Sequence, residues 1–275
     1  MHPAKADVSV MRDGTGKRMT ITTCICLKFG TRYGPEYVNR LRGGLARHTT
    51  SRLRFLCMTD DAKGLDAGVE VLPLPQEPFH DRMFAAMRAK GLQAPFQKIS
   101  LFRPGLVDGL EGPLLVLDID VAITGNVDAI RDFAPGRVAM RREWHARSGL
   151  PALGHGSVEK IEPDRHRYLY DRMAANPEEA LVYGGGSEQI YTSRLAMDHG
   201  DFVTLPEAWV VSFKYDCRPA KPLNLILAPR LPADARVVCF HGRPKMEEAV
   251  QGYRAGLSST RPAAWLRDAW LGDAA

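Results

Sequence analysis

The segment Pro113-Leu114-Leu115-Val116-Leu117-Asp118-Ile119-Asp120-Val121-Ala122-Ile123 decides how the chain is read. It is an apolar run broken by two carboxylates one residue apart. A Leu/Val/Ile run of this kind reads as a strand buried on both faces, as in a parallel sheet covered by helices. Side chains alternate along a strand, so the spacing predicts Asp118 and Asp120 on one side. Two like charges held together out of water are costly unless something neutralises them. A divalent cation at the carboxyl end of the strand, where open α/β sheets hold their ligands, is the economical answer.

Upstream, Met19 to Leu27 is rich in Thr and Ile and predicts the first strand. A loop with Gly30, Gly34 and Pro35 leads into a helix over Glu36 to His48, whose apolar positions are Tyr37, Val38, Leu41 and Leu45. Arg54 to Thr59 predicts a second strand ending at Asp60-Asp61, and Val69 to Leu74 a third. Lys98 to Phe102 reads as helical, leading to Gly105. Strands and helices alternating in this order imply a Rossmann-like, mainly parallel central sheet flanked by helices.

The second half is less regular. Arg147 to Gly156 reads as loop, and Pro163 to Asn176 as containing a short helix. Gly184-Gly185-Gly186-Ser187 breaks the chain before a helix over Glu188 to Met197, with Ser187 as its N-cap. Val237 to Phe240 predicts a short strand running into His241-Gly242-Arg243-Pro244-Lys245. Glu247 to Leu271 reads as a loosely amphipathic tail carrying Trp265 and Trp270.

Length and composition bound the possibilities. The 275 residues suit one large α/β domain or two small ones, and 45% hydrophobic with 25% charged residues is ordinary for a globular protein. The expected division is a disordered leader over 1–18, with Met19 as an alternative start, and one domain over 19–275. Within it, 19–130 forms a nucleotide-binding half, 131–245 an acceptor half and 246–275 a C-terminal tail. No apolar stretch reaches bilayer-spanning length. A net charge of +5, with a cluster at Arg137, Arg141, Arg142 and Arg147, suits a phosphate-bearing ligand, an acidic polysaccharide or an anionic membrane surface. No basic-aromatic module or zinc-finger spacing points to nucleic acid. The five cysteines, mostly inside apolar runs, suggest reduced core thiols and a cytoplasmic setting.

His241 follows a short apolar strand, beside Gly242 and four residues before Lys245. The glycine lets backbone approach a ligand, and the lysine supplies a point charge for phosphate. An imidazole joined to two carboxylates favours manganese over magnesium.

Taken together, the Thr/Ile-rich first strand, Lys98-Ile99-Ser100-Leu101-Phe102-Arg103, Val116-Leu117-Asp118-Ile119-Asp120, Gly125-Asn126-Val127-Asp128 and Phe240-His241-Gly242-Arg243-Pro244-Lys245 resemble a known family. They are similar to sugar-nucleotide-dependent glycosyltransferases of the A-type fold, in the family-eight group of glycogenin and the lipopolysaccharide galactosyltransferases. The resemblance runs from about Met19 to Lys245. It implies the nucleotide-diphospho-sugar transferase fold, with a smaller mixed region on the acceptor side.

The resemblance implies that Asp118, Asp120 and His241 hold a divalent metal, Mn2+ before Mg2+. Lys245 would contact the diphosphate of a UDP-sugar, with Gly242 permitting close approach. Lys98 would lie near the sugar or diphosphate. The loop from Lys28 to Tyr33 would touch the nucleotide, with Asp60 near the base. Glu188 or Gln189 would sit under the donor sugar as the catalytic position, and Trp209, Tyr215 and Trp144 are candidates to stack on sugar rings. The implied partners are a nucleotide-sugar donor and a glycan, lipid-linked or envelope acceptor, at the inner face of the membrane. The family pattern continues the His-Gly-x-x-Lys element with Pro-Trp, whereas Met246-Glu247 follow here.

Two other readings compete. A haloacid-dehalogenase-type phosphatase also uses Asp-x-Asp after an apolar strand. It places Thr or Val where Ala122 stands and opens its domain with the motif, whereas more than a hundred residues precede Asp118. A non-catalytic sugar-nucleotide- or glycan-binding relative would not need both carboxylates together with His241 and Lys245.

Overall fold

The computed structural model describes residues 20–92, 96–144 and 153–272. The expected leader and Arg147 lie outside them. In chain order the elements are β1 (Ile21–Lys28), α1 (Pro35–His48), β2 (Arg52–Thr59), β3 (Glu70–Pro73) and α2 (His80–Ala89). A 3-10 turn over Lys98–Phe102 precedes β4 (Leu114–Leu117), β5 (Val121–Ile123), α3 (Asp128–Asp132), β6 (Val138–Arg142) and β7 (Gly154–Ile161). Then come α4 (Tyr168–Ala175), α5 (Pro177–Tyr183), α6 (Glu188–Asp198), β8 (Phe202–Thr204), β9 (Val210–Ser212), β10 (Val237–Cys239) and α7 (Met246–Gln251).

Seven strands form a mostly parallel sheet in the order β3-β2-β1-β4-β7-β6-β8, and three form a second sheet, β5-β10-β9. β1 pairs parallel with both β2 and β4, while β7 enters antiparallel between β4 and β6. β3 is an edge strand, which accommodates Pro73.

β4 reads as continuous apolar sequence because both of its faces are covered. Leu115 and Leu117 join one core with Cys24, Cys26, α1 and the second sheet. Leu114 and Val116 join the other, with Met83 of α2, Leu169 and Met173 of α4, and Tyr191 of α6. Fully burying a Leu or Val side chain contributes about 2 kcal/mol, so this strand is a fixed support for the carboxylates at its end.

Three expectations are corrected. The run Pro113–Ile123 is two strands in two sheets, because β4 ends at Leu117 and β5 begins at Val121. The loop expected up to Gly156 ends earlier, since β7 begins at Gly154. Two glycines and the charged Glu159 and Lys160 hide β7 from an apolar pattern, yet both charges are buried and paired. The tail is not a loose amphipathic appendage. Trp270 is buried against the Tyr37 ring at 5.4 Å and covered by Arg40 at 4.3 Å, and Arg47 bonds the Ala269 carbonyl at 2.7 Å. Ser187 is the residue before α6 as expected, but its side chain makes no cap bond. All five cysteines are buried free thiols.

Candidate active site

The change of sheet at residues 118–120 builds the site. β5 pairs antiparallel with β10, placing Cys239 opposite Val121. The Phe240 amide then donates to the Asp120 carbonyl at 3.2 Å. Residues from opposite halves of the sequence are thereby brought to one cleft of about 470 Å³, where Asp118, Asp120, His241 and Lys245 all face the lumen.

Asp118 continues the alternation of β4, so it shares the face of Leu114 and Val116. There Lys98 Nζ meets Asp118 Oδ1 at 2.8 Å and Glu159 Oε1 at 3.5 Å, and also donates to the Gly156 carbonyl. Burial pushes the Asp118 carboxyl up, but Lys98 and Ser157 outweigh it and hold it below the usual range. Burial likewise works against the Lys98 ammonium, and Asp118 and Glu159 overcome it, so Lys98 stays charged. Glu159 is pushed up by burial.

Asp120 has a different partner set. Its Oδ2 accepts from the Tyr33 hydroxyl at 2.6 Å and lies 3.6 Å from Lys245 Nζ, which itself donates to the Tyr33 oxygen at 2.9 Å. Burial, then the neighbouring Asp118 charge, raises the Asp120 carboxyl. His241 Nε2 lies 2.8 Å from Ser212 Oγ, and its ring packs 5.1 Å from Trp144 and 5.3 Å from Tyr215.

Glu188 opens α6 in the cleft wall and accepts from the Ile99 amide at 2.7 Å. Burial raises its carboxyl to about 8, so it carries its proton at neutral pH. Gln189 sits one layer behind. Its Oε1 accepts from the Gly156 amide at 3.0 Å and its Nε2 donates to Glu143 at 2.9 Å. Gly242 has φ +77°, and a Cβ there would meet only open space, so the residue serves a left-handed turn at the cleft rim.

Lys28 and Asp60 belong to the neighbouring loop scaffold. Lys28 is buried and donates to the Asp61 carbonyl at 3.2 Å, while Asp60 accepts from the Gly30 amide at 3.0 Å. Trp209 is engaged elsewhere, with Phe133 at 5.7 Å and Arg236 at 4.6 Å. Sequence reasoning missed His155, Ser157 and Glu159. Their polar side chains at every second position of β7 were the available signal, since register sets Glu159 opposite Val116 on the Asp118 face.

Two carboxylates and an imidazole on one cleft are the hard-oxygen-plus-nitrogen donor set that suits Mn2+. Among the described residues no group of three His, Cys, Asp or Glu side chains is placed so that it could hold a metal ion as it stands. Each is turned to a protein partner instead: Lys98, Tyr33 and Ser212. The residue types suit a cation, which would have to displace or share these contacts.

No family model matches the chain, and no curated protein matches it in sequence. Its fold, however, is that of solved sugar transferases. The galactosyltransferase LgtC, solved in complex with donor and acceptor sugar analogs, is similar at 11% identity and TM-score 0.56, over 82% of this chain and 89% of that one. Mouse xyloside xylosyltransferase 1 in its apo form is similar at 12% identity and TM-score 0.50, over 82% and 98%. The glycosyltransferase GlyE of Streptococcus pneumoniae TIGR4 is similar at 12% identity and TM-score 0.52, over 82% of this chain and 56% of that one. The architecture is therefore the A-type glycosyltransferase fold, resembling that of family eight as the sequence motifs imply.

Proposed function

We propose that the chain is a metal-dependent glycosyltransferase, moving a sugar from a nucleotide-diphosphate donor, UDP-sugar on our reading, to an acceptor hydroxyl with retention of configuration. The observation that carries it is the convergence of Asp118, Asp120, His241 and Lys245 on one cleft, in a fold shared with sugar transferases. A divalent cation, Mn2+ first and Mg2+ second, would be held by Asp118, Asp120 and His241 and would supply charge neutralisation for the departing diphosphate.

The chain's own groups complete the chemistry. Lys245, at the N-terminus of α7, adds a point charge for phosphate and holds Tyr33 in place. Lys98 keeps Asp118 ionised. Glu188, protonated below about pH 8 because it is buried, serves as a hydrogen-bond donor to a sugar hydroxyl. Retention of configuration is the outcome that the family likeness suggests. Gln189, clamped between Gly156 and Glu143, acts behind it by fixing the start of α6 against β7. The acceptor class is a glycan, lipid-linked or envelope component, with the basic protein working at the inner membrane face; among the described residues no helix is long and apolar enough to cross a membrane. No observation favours the phosphatase.

Calorimetry of UDP with and without Mn2+, on the native chain and Asp120→Ala, tests the reading. Metal-dependent binding that disappears in the variant is expected. Binding indifferent to metal and to Asp120, or no binding, overturns it. Metal-dependent binding with neither transfer nor donor hydrolysis would leave a sugar-nucleotide binder.

A further inference from the structure

Between Cys217 and Arg230 the chain makes an excursion, closed at its base where the Arg230 amide donates to the Cys217 carbonyl at 2.9 Å. Its tip carries Leu223, Leu225, Ile226 and Leu227, between 39% and 71% exposed. Asn224, fully buried among them, pins the tip to the adjoining loop by donating to the carbonyls of Leu257 at 3.1 Å and Ser259 at 2.6 Å. Arg218 donates to the Ser258 carbonyl at 3.0 Å, fastening the two loops a second time. Leu257 adds a fifth exposed apolar side chain at 61%. A contiguous exposed apolar patch on an anchored loop marks an interaction site rather than ordinary surface.

Charge says what covers it. Residues 218–230 and 251–262 contain Arg218, Lys221, Arg230, Arg254 and Arg261 and no Asp or Glu. Lys221, Arg230, Arg254 and Arg261 are exposed, and Arg254 and Arg261 line a groove together with Leu225. Exposed apolar side chains on two loops whose charged residues are all cations match an anionic lipid surface, where the apolar groups enter the headgroup boundary and the cations meet phosphate. We propose that these two loops form a peripheral docking face for anionic phospholipid membranes. The inference rests on the membrane placement within the proposed function and names the surface that performs it. The same excursion begins beside the cleft, since Tyr215 packs on the His241 ring at 5.3 Å. Docking there would hold the cleft next to lipid-borne acceptors.

The test is co-sedimentation of the full chain with phosphatidylcholine vesicles, with and without phosphatidylglycerol. The native chain is expected to bind only the anionic vesicles and to release at high salt. Arg254→Gln with Arg261→Gln should lower the partition coefficient about 25-fold, at about five-fold per lost cation. Leu225→Gln with Ile226→Gln should lower it at least about ten-fold, through lost apolar burial. Hydrogen exchange on the native chain gives a reading independent of any variant, with vesicle-induced protection expected at 218–230 and 251–262. Native binding that both variants retain, with protection elsewhere, overturns this surface while leaving membrane placement intact. Absence of native binding overturns both. Self-association abolished by the same substitutions, without vesicle binding, overturns the lipid reading in favour of a second copy of the chain.

Discussion

The hydroxyl of Tyr33 donates to Asp120 Oδ2 at 2.6 Å. Burial and the Asp118 charge raise the Asp120 carboxyl, and the Tyr33 bond and Lys245 act in the opposite direction. Tyr33→Phe removes the first of these two restraints. The Asp120 carboxyl should therefore titrate at higher pH than in the native chain, and the onset of Mn2+ binding should move up in pH with it. Carbon-detected NMR titration of the aspartates reads the first effect and metal titration across pH the second. An unmoved Asp120 contradicts the argument.

Lys98 bridges Asp118 and Glu159, at 2.8 and 3.5 Å. Replacing it with Met leaves those two carboxyls without compensation in the cleft floor. Breaking a buried pair from one side costs several kcal/mol, but the Asp118 side chain is a third exposed, so solvent screening reduces the loss to about 2–3 kcal/mol at neutral pH. The deficit should shrink at pH 5, where the raised carboxyls take up protons. Urea unfolding of Lys98→Met at both pH values measures this, and a deficit that does not depend on pH refutes it. Lys98→Arg should recover most of the stability.

Much of what lines the candidate cleft was legible in the sequence, and the physical reasons are specific. Asp118 and Asp120 stood out because β4 is covered on both faces, so its apolar run left the carboxylates conspicuous. His241 and Lys245 stood out because β10 is short and buried and is followed within three residues by His241-Gly242. The change of sheet was not legible, since Ile119 keeps the run apolar through the break and packs in the core itself. β7 was not legible either. Its Gly154, Gly156, Glu159 and Lys160 resemble loop sequence, and their burial is made tolerable by partners that no local pattern shows: Lys98 for Glu159, and the Phe133 and Ala134 carbonyls with Glu162 for Lys160. The tail's place in the core depends on Tyr37 and Arg40 receiving Trp270, a contact that no local pattern encodes.

Glu188 gives the fold a particular pH dependence. Burial raises its carboxyl to about 8, against 4.5 ordinarily. A carboxyl held above its unfolded value binds its proton more tightly in the folded chain, so its contribution is full below about pH 4.5 and fades as pH rises to about 8. Glu188→Gln keeps a neutral side chain that can still accept from the Ile99 amide. The Tm of this variant relative to the native chain should therefore rise steadily between pH 5 and pH 8. His155 and His166, lowered by burial, titrate in both proteins and cancel in the difference. A difference that stays flat across this range would sink the assignment.

Asp128 predicts a loss of stability without a loss of function. Its Oδ1 accepts from the hydroxyls of Thr22 and Ser51, each at 2.6 Å, and its Oδ2 from the Thr50 hydroxyl at 2.6 Å and amide at 2.9 Å. Arg131 closes the cluster at 3.2 Å, so one buried carboxylate ties β1, the α1–β2 connection and α3 together. Burial opposes its charge, but the Ser51, Thr22 and Thr50 bonds outweigh it and hold the carboxyl well below the usual range. Asp128→Asn turns an amide donor toward groups that need an acceptor, at a cost of about 3 kcal/mol near neutral pH. Because the native carboxyl is depressed, its contribution is present above about pH 4 and lost as pH falls further. The two proteins should thus differ in urea midpoint at pH 7 and converge in strong acid. None of these groups lines the cleft, so Mn2+-dependent UDP binding should be unchanged in the folded variant. Weakened UDP binding at full folding would mean that this cluster reaches the site in a way its contacts do not reveal.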